Sequence, residues 1–178
     1  MKDTTLRSIS IIVWLILAFI SMLIIKMHTK LVDTKNQVSD RFSAMDVHLE
    51  KRLEYLPDLE EKAAAFEGLE EAVAKVRAAR DEVEASSTET ERIRGEERLT
   101  RTLTELFQAA DQSDAGAGDE AFQSLRREFE RLDEDIRETG AAYNEAVEAY
   151  HARLSFFPSS LVAGMFHFHR MPLFGEAR

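Results

Sequence analysis

The sequence predicts an all-α protein, a single N-terminal transmembrane helix continuing into an antiparallel four-helix bundle. Three observations carry that expectation. The stretch Ser8–Ile25 has no charged residue, Pro or Gly and is close to the ~20 apolar residues that cross the hydrocarbon core of a bilayer as a helix. Gly (7) and Pro (3) are scarce in the 178-residue chain while Ala, Glu, Leu and Arg dominate, a helix-forming composition. Beyond the apolar run, four successive segments place apolar residues three or four apart, the spacing of a helix with one buried face.

The apolar run comes first. Its only polar groups are Ser8, Ser10 and Ser21, whose hydroxyls can bond to a carbonyl of the preceding turn. A helix satisfies every backbone group within the segment, which lipid requires. Arg7 and Lys26 bound it, and it ends Ile24-Ile25-Lys26-Met27-His28 without the small residues of a signal-peptidase site. It is therefore expected to be a retained anchor. Lys2 and Arg7 on one side and Lys26, Lys30 and Lys35 on the other differ by one charge, so the positive-inside rule does not choose a side.

No breaker separates the anchor from the segment to Glu54, where Leu31, Val38, Phe42, Met45, Leu49 and Leu53 continue the pattern. Pro57 is expected to end this first helix. A second helix is expected over Asp58–Ala85, with Leu59, Ala63, Phe66, Leu69, Val73, Val76 and Val83 on one stripe. Thr88 and Glu91 form a capping-box pattern that opens a third, Glu89–Ala110, interrupted by Gly95. The small, polar, Gly-punctuated stretch Asp111–Asp119 reads as a loop. A fourth helix, Asp119–Phe157, carries Phe122, Leu125, Phe129, Leu132, Ile136, Tyr143, Val147, Tyr150 and Leu154, with Gly140 near the seam allowing a close neighbour. Four such stripes share one core as a bundle. The organisation expected is thus a short flank over 1–7, a membrane helix over 8–26, a bundle over 27–157 and a tail over 158–178.

That tail is apolar and aromatic. Five of the eleven Phe lie in the last 23 residues, unlike a solvated tail. Leu161–Phe168 is expected to form a short helix before Pro172. Phe157, Leu161, Val162, Met165, Phe166, Phe168 and Phe174 are the candidate interface residues, facing a protein partner or a membrane surface; the alternative is that the tail folds back to cap the bundle. His167-Phe168-His169-Arg170 suits the headgroup region of a bilayer.

Composition narrows the function classes. The formal net charge is -10, which gives no basic face for nucleic acid. Cys is absent, which removes disulfides and thiolate chemistry. His167 and His169 are two apart, too few to hold a metal unaided, and the Glu148–His151 pair meets the Glu-x-x-His pattern of a di-iron bundle only once. No phosphate loop, nucleophile elbow or Cys/His pair occurs. The charged residues Asp46, Lys51, Arg52 and Glu54, with the runs Glu60-Glu61, Glu70-Glu71 and Asp133-Glu134-Asp135, are read as solvated faces, with a polar layer of the first helix against Tyr143 and Asn144 as the alternative for the first four.

Two stretches together resemble the signatures of the LemA family. They are Met45-Asp46-Val47-His48-Leu49-Glu50-Lys51-Arg52-Leu53-Glu54-Tyr55-Leu56-Pro57-Asp58-Leu59, and Tyr143-Asn144-Glu145-Ala146-Val147 through Tyr150 followed by Phe157-Pro158-Ser159-Ser160-Leu161-Val162-Ala163-Gly164-Met165-Phe166. His48, Asp58 and His151 depart from that pattern, as does the Gly/Ala-rich 107–119 region. The resemblance implies a bacterial, single-pass membrane protein with an antiparallel helical bundle, and it brings no catalytic residues to carry over. The expected function is accordingly a non-enzymatic, self-assembling scaffold or adaptor of the bacterial envelope, in the inner membrane. Its expected partners are membrane lipid and either further copies or another membrane protein, with no cofactor. The alternative is an accessory subunit of a membrane peptidase or other envelope enzyme.

Overall fold

The computed structural model describes the backbone of residues 2–113 and 118–175 and, within that range, side chains from Ser10 onward. The protein is all-α: α1 covers Lys2–Ala64, α2 Glu70–Glu84, α3 Glu89–Asp111, α4 Glu120–Ser155 and α5 Ser159–Met165, with no strand among the described residues. The centre of the loop expected at 111–119 lies outside the described residues.

Pro57 does not end the first helix. It lies inside α1, which runs on to Ala64. A proline in a helix interior loses one backbone bond and crowds the preceding turn, at a cost of ~3 kcal/mol. Here the ring points to solvent while Leu56, Leu59 and Ala63 keep the buried stripe in phase on the other side; burying Leu-sized side chains at ~1.5–3 kcal/mol each offsets that cost. The chain reverses instead at Gly68, whose φ of 90° is a left-handed conformation that glycine adopts without a Cβ clash. The second helix consequently starts at Glu70 rather than Asp58. The third matches its expected span to one residue. Thr88 caps it by accepting from the Glu91 backbone N–H at 3.2 Å, and the Glu91 carboxylate reaches back to the Ser87 N–H at 3.0 Å. These bonds hold the Glu91 carboxyl below its ordinary value, led by the Ser87 backbone bond. Gly95 is a contact rather than a weak point: a Cβ there would meet Val83 Cγ2 at 2.9 Å, so its absence lets α3 lie against α2. Asp119 caps α4 by accepting from the Phe122 N–H at 2.7 Å. That helix stops at Ser155, ahead of Pro158, and the short tail helix spans Ser159–Met165 instead of Leu161–Phe168.

The chain divides into two compact units. One comprises 39–145 and 171–178. Its core takes residues from four helices: Leu56, Leu59 and Ala63 of α1, Val73, Val76 and Val83 of α2, Leu99, Leu103 and Leu106 of α3, and Phe122 and Phe129 of α4. Phe66 meets Phe122 edge-on at 5.4 Å, and Phe107 meets Phe129 at 6.0 Å. Such pairs add ~0.5–1.5 kcal/mol each beyond area burial. Phe42, Met45, Leu49, Leu132, Ile136 and Tyr143 are also buried.

The other unit comprises 1–38 and 146–170. Its buried cluster is small: Leu31, Val162 and Ala163, with Ile24, Met27, Leu154 and Phe168 packed against it. Apart from Ile24, the large apolar side chains from Ile11 to Ile25 lie uncovered, with Trp14 70% and Phe19 68% exposed. This part of α1 is the one helix among the described residues that is long and apolar enough to cross a membrane.

Candidate functional site

Two constellations stand apart from ordinary packing. The first is an ion network inside the bundle. Arg52 sits between Leu49 and Leu56 on the buried stripe of α1 and is 1% exposed. Its guanidinium donates to Glu96 Oε2 at 2.6 Å, to Thr100 Oγ1 at 2.9 Å and to Asp133 Oδ1 at 3.0 Å. Glu96, fully buried, accepts from Arg92 Nε at 3.0 Å through its other oxygen. Arg92 Nη2 lies 3.2 Å from Asp46 Oδ1, close enough for charge attraction but not aligned as a hydrogen bond. Burial raises the Asp46 carboxyl above its ordinary value; Arg92 opposes the shift and Glu50 adds to it. A second buried carboxylate, Glu60, is held by Arg77 Nε at 3.1 Å and Arg80 Nη1 at 2.8 Å.

These contacts correct three sequence expectations. Lys51 and Glu54 are exposed, as a solvated face requires, but Arg52 is not, and neither is Glu60. The polar layer of α1 forms with Glu96, Thr100 and Asp133 rather than with Tyr143 and Asn144. A signal was present. Arg52, Glu60 and Glu96 each fall three or four residues from apolar neighbours on a buried stripe, where a charge must have a partner.

The second constellation holds the carboxyl-terminal segment. Tyr143, fully buried, donates its hydroxyl to the Pro172 carbonyl at 2.9 Å. Asn144 donates to the Phe174 carbonyl at 2.9 Å and accepts from the Phe174 N–H at 2.7 Å, so one amide reads both backbone groups of one residue. The Gly175 N–H reaches Glu97 at 3.1 Å. The Phe174 ring fills the space over Gly140, where a Cβ would come within 2.9 Å of it. Burial, then the charge of Glu89, pushes the Tyr143 phenol well above its ordinary value. A groove of ~500 Å³ continues along Arg52, Thr100, Ile136, Gly140, Asn144 and Phe174. Elsewhere in the chain, Tyr150 donates to the His169 carbonyl at 3.1 Å.

The seven candidate interface residues separate accordingly. Val162 is buried, and Phe168 and Phe174 are partly covered. Phe157 (71% exposed), Leu161, Met165 and Phe166 face outward, together with Phe156. Phe156 is the residue that the sequence reading left out of the set. Among the described residues no group of three His, Asp or Glu side chains is disposed to hold a metal ion. His28 of α1 stacks edge-on with Phe166 at 4.6 Å and Phe168 at 5.7 Å, so two phenylalanine rings of the tail pack against α1.

A comparison with curated proteins found no match. The model of the LemA family matches residues 41–178, a span that contains the buried ion network and the Tyr143–Asn144 clamp. By that match over most of its length, the chain belongs to the LemA family.

Proposed function

We propose that the protein is a non-enzymatic, membrane-anchored helical scaffold or adaptor of the bacterial envelope. The observation that supports this most is the uncovered apolar stretch at the start of α1. Twelve large apolar side chains between Ile11 and Ile25 are 40–70% exposed. Leaving that much apolar surface in water costs on the order of 10 kcal/mol or more, comparable to the whole stability of a domain. Lipid removes the cost. The same helix then supplies Leu49, Leu56 and Leu59 to the bundle core, so anchor and bundle share one secondary-structure element. The outward-facing Phe156, Phe157, Leu161, Met165 and Phe166 leave a second apolar surface uncovered.

Native mass spectrometry of the full chain extracted in mild detergent tests this reading. The expected result is an assembly of several copies or a stable complex with another membrane protein. An enzyme that co-purifies in fixed ratio assigns the protein as its accessory subunit. A strict monomer with no partner, or turnover of a substrate by the purified chain, overturns the scaffold.

A further inference from the structure

The outward aromatic face of the tail has a definite place along α1. Its inner side packs on Ile24, Met27 and Leu31 through Val162, Ala163 and Phe168, and Phe166 stacks on His28. From Ile24 to Leu31 is about 10 Å of helix rise at 1.5 Å per residue. The apolar run ends at Ile25, so the tail helix lies beside the end of that run. This is the depth of the headgroup layer, which adds ~5–8 Å on each side of the hydrocarbon core.

Charge selects the occupant. Outside the apolar run, residues 26–38 and 146–170 of this unit carry Lys26, Lys30, Lys35, Arg153 and Arg170 against only Asp33 and Glu148. The chain as a whole is at -10. Cationic side chains around Phe, Leu and Met are the composition of a segment lying in the plane of an anionic interface. A second copy would bring the same positive charge against its own.

We infer that Phe156, Phe157, Leu161, Met165 and Phe166 form a second membrane contact, inserted at the headgroup–acyl boundary of the leaflet that α1 leaves, with Lys26, Lys30, Arg153 and Arg170 contacting the phosphates of anionic lipid. This rests on the anchor reading above. The tail is then a collar that fixes α1 against tilt and rotation.

The chain has no cysteine, so single nitroxide labels can be placed at Phe157→Cys, Leu161→Cys and Met165→Cys in the full protein, with Leu17→Cys and Val47→Cys as references for the anchor and the exposed bundle surface. The protein is reconstituted in phosphatidylcholine vesicles with and without phosphatidylglycerol. The expected result is an oxygen-to-nickel-chelate collision ratio at the three tail sites several-fold above that at Val47. Phosphatidylglycerol is expected to raise it, and Lys30→Gln/Arg153→Gln/Arg170→Gln to abolish that rise. Tail labels exposed to the nickel chelate while Leu17 stays in lipid overturn the inference and leave the anchor standing. A Leu17 label in water overturns both. Tail labels shielded from both reagents and dipolar-coupled between copies show a protein interface instead and overturn the lipid contact.

Discussion

The two units of this chain solve the burial problem in opposite ways. The unit of 39–145 and 171–178 closes a four-helix core and then places charges inside it: Arg52, Glu60 and Glu96 are all less than 5% exposed. The unit of 1–38 and 146–170 has a buried cluster of only three residues, Leu31, Val162 and Ala163, and leaves most of its apolar surface outside. Their charges differ in the same sense. The second unit has seven Lys and Arg against three Asp and Glu, leaving sixteen against thirty in the first. A sealed, acidic unit takes its stability from internal contacts. A basic unit with uncovered Phe, Trp and Leu has little internal packing to draw on. The difference teaches that apolar content does not locate a core: Leu56 and Leu17 are equally apolar, and only Leu56 is buried.

Variants can break that contrast, beginning with the largest effect. Arg52→Met strands Glu96 in the core with one guanidinium instead of two and is expected to cost about 3–5 kcal/mol, read as a fall in the denaturation midpoint of the full chain. Arg52→Met/Glu96→Leu removes both charges, and recovery of most of that loss would identify the stranded carboxylate as its cause. Gly95→Ala drives a Cβ into Val83, expected to cost about 1–3 kcal/mol by overpacking despite the better helix propensity of Ala. The same exchange at Gly164, with open space around it, should be neutral or stabilising; equal losses at both sites would defeat the close-approach account.

Tyr143→Phe removes one hydrogen bond, about 0.5–1.5 kcal/mol at neutral pH. Its pH dependence is more telling. The folded phenol titrates above the ordinary value of 10.0, so the folded state holds its proton where the unfolded state has lost it. Stability is then full below pH 10 and declines as pH rises past 10. Parallel alkaline declines in wild type and Tyr143→Phe would remove this phenol as the cause. The smallest expected loss of stability belongs to Gly140→Ala. It is expected to shift the midpoint by under about 1 kcal/mol, because helix propensity offsets the lost ring contact, yet it should free Met171–Gly175 for proteolysis by displacing the Phe174 ring. A tail that stays protected means the ring is not the anchor of that segment.

Periodicity made the helices legible because an amphipathic stripe is a local property. The third helix and its Thr88 cap follow from neighbours within a few residues, and so does the apolar run. The reversal was misread for a related reason. Pro57 is the stronger breaker in isolation, yet Leu56, Leu59 and Ala63 hold its helix together through contacts made elsewhere, and Gly68 carries the turn. The tail divided for the same cause: Val162 and Phe168 differ from Leu161 and Phe157 by what lies opposite, not by chemistry.

The linear order of residues determined the all-α class, the apolar run at the start of α1, the Thr88 cap and the placement of the apolar stripes, since each depends on interactions a turn or two apart. Tertiary structure alone decided which partners the buried charges meet and which aromatics stay out. Arg52 meets partners 44 and 81 residues away, and Asn144 meets Phe174 30 residues on. A charge on an apolar stripe shows that it needs a partner, but its immediate neighbours do not record which distant residue is brought opposite it.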